Sequence, residues 1–341
     1  MMIDSPPRLF RVRNVVVAAF LLAIVTIVWP ICNTVHMPLK SYHGESKPLT
    51  DDELNLRKNL VVHVEKLAVS IGERNLEHYA ALQSAADYIQ HRLEEFGYRP
   101  TTQTYTVSGK TMTNITAEVH GVDTPAEKIV IGAHYDSVTG TPGANDNASG
   151  TAAVLELARL LQSSHPHRTI LFVFFTNEEP PYFQTDEMGS LVYANELHKR
   201  GAQIKGMIAV ETIGYYSDTP GSQHYPSLMS LFYPNTGNFV AFVGDPESRD
   251  FLHRCIKAFR ESTEFPSEGA APPSDIPGVG WSDHWSFWQQ GWPAIMVTDT
   301  APFRYRQYHL PSDTAEKVDF DRMARVVAGL KPVVENLANQ P

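Results

Sequence analysis

Residues 128–137 read KIVIGAHYDS, a short apolar run that stops at His134, Tyr135 and Asp136. Apolar runs of this length, bounded by turns, are what buried strands of a largely parallel sheet look like. Four more runs share the form: TILFVFFT (169–176), GMIAV (206–210), NFVAFVG (238–244) and AIMVT (294–298). Two polar-alternating segments, Thr102–Val107 and Asn114–His120, predict half-exposed strands ahead of them. Helical spacing falls between the runs, over 149–162, 188–200, 247–263 and Phe320–Leu337. An amphipathic pattern from Leu76 to Phe96, closed by Gly97, predicts another helix in front. Strand and helix alternate, so the expected fold is α/β. It is a single three-layer domain with a mixed, mostly parallel central sheet and helices on both faces.

In such a sheet, ligands bind beyond the carboxyl ends of the strands. His134 and Asp136 follow the first run, and Asn177-Glu178-Glu179 follow the second. Glu211 follows the third, and Tyr308-His309-Leu310-Pro311-Ser312-Asp313 lie beyond the last. Between the first two runs, GANDNASG (143–150) opens a helix and carries Asp146. Singly, each residue has an ordinary explanation. A lone histidine is surface or core, Glu211 a salt-bridge partner, and Asp146 a helix cap. Together at successive strand ends, two histidines and several carboxylates are the donor set of a catalytic zinc site. Of the adjacent Glu178 and Glu179, one can bind metal while the other stays free as a general base. Asp136 is placed to hold the second ring nitrogen of His134.

The 341-residue chain is 43% hydrophobic and 19% charged, which is globular rather than disordered. A net charge of −10 argues against nucleic acid as the main partner. Two cysteines exclude a disulfide scaffold or a cysteine zinc module. The run from Val15 to Ile31 follows Arg8, Arg11 and Arg13. It predicts a cytoplasmic start (1–13), a transmembrane signal anchor (14–32), a polar linker (33–50) and a catalytic domain (51–341) outside the cell membrane. Secretion after signal cleavage is the rival, but no small-residue cleavage site follows Pro30.

Seven segments in order resemble the M28 family of zinc aminopeptidases: GAHYDS (132–137), GANDNASG (143–150), FFTNEE (174–179), MGSLVYA (188–194), VETIGYY (210–216), SDHWSF (282–287) and YHLPSDT (308–314). The resemblance covers about residues 70–335. It implies a phosphorylase/hydrolase-like sheet with two zinc ions. His134 and Glu211 would bind one, Glu179 and His309 the other, and Asp146 would bridge them. Glu178 would be the general base. Tyr308 matches a tyrosine that can stabilise an oxyanion. Asp313 would orient His309 or cap the next helix. Asp283 and His284 match a loop near the substrate pocket, or form a structural turn. Many family members carry Asp where this chain has Glu211.

The expected function is therefore metal-assisted removal of N-terminal residues from peptides with a free N-terminus. A glutaminyl-peptide cyclase on the same fold is the alternative enzyme. A non-catalytic membrane-anchored receptor is a third reading. It is weakened because Glu178 and all five ligand positions are intact. The sequon at Asn147 adjoins Asp146, so it reads as part of the catalytic loop rather than a glycan site.

Overall fold

The computed structural model describes residues 33–340 together with 16, 17 and 20, and the backbone only at 227 and 228. Among these residues eight strands build one sheet. They are β1 (Thr101–Val107), β2 (Lys110–Val119), β3 (Thr124–His134), β4 (Arg168–Phe175), β5 (Gln203–Val210), β6 (Val240–Gly244), β7 (Ser267–Ala270) and β8 (Ala294–Thr298). Their order is β1-β2-β4-β3-β5-β8-β6-β7. The centre, β4-β3-β5-β8, is parallel, and β6 and β7 are parallel to each other. Antiparallel pairing joins β1 to β2, β2 to β4 and β6 to β8.

The central strands carry unbroken apolar runs, such as Ile170–Phe175 in β4 and Gly206–Val210 in β5, because both of their faces are covered there. Along β4, Ile170, Phe172 and Phe174 enter one core; Leu171, Val173 and Phe175 enter the other. Strand β3 divides the same way, with Ile129, Ile131 and Ala133 opposite Val130. The larger helical layer holds α1 (Asp51–Val64), α2 (Tyr79–Glu95), α3 (Gly150–Leu161), α5 (Arg249–Ser262) and α8 (Phe320–Asn339). The smaller holds α4 (Gly189–Lys199) and the short α6 (His284–Trp288). A four-residue helix, α7 (Ala301–Arg304), follows β8. The three-layer α/β expectation holds for the described domain.

Helix α1, the short helices α6 and α7, and strand β7 had not been expected. Helix α1 begins at a capping box: Glu53 N–H donates to Thr50 Oγ1 at 3.3 Å, and Thr50 N–H donates to Glu53 Oε2 at 2.8 Å. It buries Leu56, Leu60 and Val64, one turn apart. Strand β7 reads SEGA, too short and polar to show a strand pattern.

The expected anchor, 14–32, lies outside the described residues except at 16, 17 and 20, as does the cytoplasmic start at 1–13. Among the described residues no helix is long and apolar enough to cross a membrane. The segment expected as a linker (33–50) is held against the domain from Met37 onward. Met37 is buried against Gly269, and Arg260 donates to the carbonyls of Pro38 and Leu39 at 3.0 Å each. Backbone carbonyls make these bonds, so the side-chain pattern of the segment carries no trace of them.

Candidate metal centre and active site

The strand ends converge as the alternation of strand and helix requires. His134 is the last residue of β3, Glu178 and Glu179 lie just past β4, and Glu211 is one residue past β5. Asp146 sits in the loop leading into α3. Its backbone (φ −110°, ψ 96°) and that of Asn147 (φ −129°, ψ 46°) leave the helical region, and Ser149, not Asp146, stands at the N-cap of α3. Gly143 permits this loop. Its φ is +58°, and a Cβ there would fall 2.2 Å from the Asp146 carbonyl oxygen.

Asp146 stands between the two histidines. Its Oδ1 is 3.3 Å from His134 Nε2, and its Oδ2 is 3.1 Å from His309 Nε2. On the first side, Glu211 Oε2 lies 2.9 Å from His134 Nε2. On the second, Glu179 Oε2 lies 3.3 Å from His309 Nε2. Glu178 Oε2 is 3.8 Å from His134 Nε2. All five residues expected as ligands are thus brought together, with Glu178 at their edge. Asn177 (φ 55°) and His309 (φ 58°) are both left-handed without being glycine, a strain of about 1–3 kcal/mol each. The fold holds the Glu178–Glu179 pair and His309 in place against that cost.

A supporting shell fixes the ligands through backbone contacts. Asp136 lies 3.4 Å from His134 Nδ1, outside hydrogen-bonding geometry. Its two oxygens instead accept the backbone N–H groups of Glu178 and Glu179 at 3.2 Å each. Asp313 neither orients His309 nor caps a helix. Its oxygens accept the N–H groups of Asn145 (2.8 Å) and Asp146 (3.0 Å), and Tyr305 OH donates to it at 2.8 Å. Asn147 Nδ2 donates to Glu211 Oε2 at 2.8 Å, and Ser282 Oγ donates to the same oxygen at 3.3 Å. Asn147 is fully buried, which fits a structural role for its sequon.

Arg74 had not been expected at the site. It is fully buried and donates to the carbonyls of Tyr135 (2.6 Å), Pro142 (2.5 Å) and Gly143 (2.9 Å). Burial lowers its pKa to about 10, against the pull of Asp136 and other site carboxylates. It clamps the stretch between His134 and Asp146. An arginine in a polar segment carries no sequence signal for that task.

The cluster is rich in buried negative charge. Burial pushes Glu211 up to about 8, with Asp146 adding to it and His134 opposing. Burial and Asp146 push Glu179 up to about 7, against His309. Glu178 rises well above the carboxylate range, through burial and then through Glu211 and Glu179, with His134 opposing. For Asp146 burial acts upward too, but its closeness to both imidazoles wins and lowers it. Burial pulls the imidazoles down, yet the carboxylates hold His134 well above 6.5 and His309 at about 10. His134 Nε2, Asp146 Oδ1 and His309 Nε2 are buried without a hydrogen-bond partner. Orphaned donor atoms and crowded carboxylates are what a cation resolves. The donor atoms of His134, Asp146 and Glu179 lie within 4.8 Å of one another. Nitrogen and oxygen donors of this kind suit zinc.

Tyr308 stacks on the His309 ring, with centroids 3.8 Å apart and planes at 18°. It also lines a large cavity beside Glu211. Asp283 is fully buried with neither oxygen hydrogen-bonded, and burial pushes it up to about 7 against the attraction of His134. His284 packs edge-on to Trp288 at 4.6 Å, and its Nε2 donates to the Val279 carbonyl at 2.7 Å. Burial lowers it to about 4, so it is neutral. Val279 and Trp281 line the cavity, whereas Asp283 and His284 do not.

The sequence matches the family described as Peptidase family M28 over residues 114–334. The chain belongs to this family. An M28 peptidase is a metal-dependent peptide hydrolase, and the strand-end cluster offers donor atoms of the kind that chemistry needs. The chain is 41% identical over 282 residues to the uncharacterized protein YfbL of Escherichia coli (strain K12), covering 80% of this chain and 86% of that one. Other curated relatives, including proteins named leucine aminopeptidase 1, are matched over about half of their own length. The LapA aminopeptidase of Legionella pneumophila superimposes with a TM-score of 0.66 at 19% identity, over 87% of this chain and 78% of that one. The glutaminyl cyclase of Porphyromonas gingivalis superimposes with a TM-score of 0.61 at 18% identity, over 82% and 97%. At these identities the superpositions establish the shared fold.

Proposed function

We propose that this M28 peptidase is a two-zinc aminopeptidase that removes single residues from peptides with a free N-terminus. The observation that carries this reading is Asp146, whose two oxygens face two separate histidine–glutamate pairs. His134 and Glu211 would hold one ion, Glu179 and His309 the other, and Asp146 both. When bound, a zinc pair supplies Lewis acidity, acidifying water and polarising a carbonyl. Glu178 is close to the cluster yet makes no contact as short as those of Glu211 or Glu179. It is free to take a proton from the attacking water and return it to the leaving amine. Burial keeps its proton affinity high, as proton transfer near neutral pH needs. Tyr308, stacked on His309 at the cavity wall, is placed to donate to the oxygen on which charge develops. Asp136 and Asp313 fix the backbone from which the ligands project.

A glutaminyl cyclase would share the fold but act only on N-terminal glutamine. The two complete ligand pairs around Asp146 favour the peptidase. We also propose that residues 14–32 anchor the enzyme in the cell membrane with the catalytic domain outside. Protease treatment of intact cells, followed by detection of the domain, would overturn this if the domain is protected.

The test of activity is mass spectrometry on peptides with varied, blocked or glutamine N-termini, with and without chelator. Stepwise loss of single residues, abolished by chelator, by blocking and by Glu178→Gln, is the expected result. Loss of ammonia from the glutamine peptide alone would make the protein a cyclase.

A further inference from the structure

Beside the cluster lies a cavity over the end of the sheet that α4 and α6 leave uncovered. It is open to solvent, with about 90 Å³ of room for water-sized molecules. Strand register determines its floor. Val210 pairs with Val297, Thr298 with Ala241, and Ala241 with Glu268. Glu211 follows Val210, so Glu211, Thr298, Ala241 and Glu268 form one row across four strands. All four line the cavity. At ~4.8 Å per strand the row is about 14 Å long. One end is a residue of the metal cluster and the other is an acid.

The walls between are aromatic: Tyr225, Tyr233, Phe239, Trp281 and Phe303. Tyr225 and Tyr233 stack with centroids 5.8 Å apart. Their hydroxyls donate to the carbonyls of Pro234 and Gly269, so both hydroxyls are already engaged. Arg260 reaches Glu268 only at 4.0 Å. Its N–H groups go to Ser267, Pro38 and Leu39 instead. Glu268 is therefore an acid at the end of an aromatic trough whose ion pair to Arg260 is long, with His43 and Ser41 also close to its carboxylate.

We propose that the trough selects peptides whose N-terminal residue is arginine or lysine, with Glu268 as the residue that reads the cation. This rests on the aminopeptidase reading, which puts the substrate's first residue beside Glu211. A leucine side chain would leave the far half of the trough empty. A long cationic chain reaches its far end, runs along aromatic rings that attract cations, and brings Glu268 a closer counter-charge than Arg260 does.

Two measurements on the full-length, zinc-loaded protein test this. In the first, calorimetry follows binding of free L-arginine, L-citrulline and L-norleucine to Glu178→Gln, with and without Glu268→Gln. Arginine should bind at least tenfold tighter than citrulline, and the ratio should fall to about one without Glu268. In the second, kcat/KM is compared for peptides beginning with Arg, citrulline, Leu and Phe. The arginine peptide should lead the citrulline peptide at least tenfold in the unaltered enzyme, a comparison that needs no variant to fold. Equal binding of arginine and citrulline, or faster cleavage after leucine or phenylalanine, overturns the proposal. If no peptide is cleaved while arginine still binds through Glu268, the aminopeptidase reading fails and the cation site stands.

Discussion

The carboxylate of Asp313 accepts the backbone N–H of Asp146 at 3.0 Å, across 167 residues of sequence. Its other oxygen accepts the N–H of Asn145. Asp146 is non-helical and receives no ladder bond, so this contact aims its side chain between His134 and His309. Asp313→Ala should lower zinc affinity about 10–100-fold, as loss of a supporting partner does. Circular dichroism should be unchanged, and competition with a chromogenic chelator would measure the effect. Unaltered affinity would show that the loop holds Asp146 without Asp313.

In the metal-free protein, stability should fall as pH rises. Glu179 and Glu211 move from a usual 4.5 to about 7 and about 8 in the fold. A raised carboxylate favours the fold when protonated, so the penalty begins above about pH 4.5 and grows to about pH 8. His309, raised to about 10, adds stability that is full below 6.5 and is lost as pH climbs through its folded value. Both signs agree. Bound zinc answers the same repulsion, so the rise in Tm on adding zinc should be larger at pH 8 than at pH 5.5. Scanning calorimetry at both values decides it, and an equal shift would refute this account.

Much of the centre was legible because parallel sheets concentrate polar residues at one end of apolar runs. KIVIGAH, TILFVFF and GMIAV announce buried strands, and the acid or histidine after each then has one place to go. What stayed illegible acts through backbone. Asp313 and Asp136 bind N–H groups, and Arg74 binds carbonyls, so their partners have no residue type to recognise. His284, read as a neighbour of the pocket or part of a structural turn, is a different case. It sits in a suggestive SDH triplet, yet it is a packed, neutral ring. The Glu211–Glu268 row depends on how β7 pairs, and SEGA has no pattern from which to predict it.

Away from the site, Glu156 should set the acid limit of stability. It is buried in the helical layer, where Asn59, His63 and Arg159 surround it at 3.1, 3.3 and 2.7 Å. Burial acts upward, but these partners win and hold it at about 2 instead of 4.5. That difference corresponds to about 3 kcal/mol. A depressed carboxylate stabilises fully above about pH 4.5 and is lost as pH falls toward 2. Glu156→Gln should lower stability by roughly this amount at pH 7 in urea titrations, and by much less near pH 2.5. An equal loss at both values would assign the effect to packing.

The long arm of Glu211 makes the last prediction. Its Oε2 is held at once by Asn147 and Ser282 while it faces His134 at 2.9 Å. Aspartate, which the family resemblance associates with this position, is one methylene shorter. Glu211→Asp would draw the carboxylate back from His134 and leave the buried Asn147 amide with one acceptor fewer, a cost of about 1–3 kcal/mol. Glu179, His309 and Asp146 are untouched by the change. One ion should therefore bind as before while the other weakens, so titration with zinc should pass from two similar sites to one strong and one weak. Equal weakening of both would mean that the two sites are coupled through Asp146. Two unchanged sites would mean that the loop carrying Asn147 closes the gap.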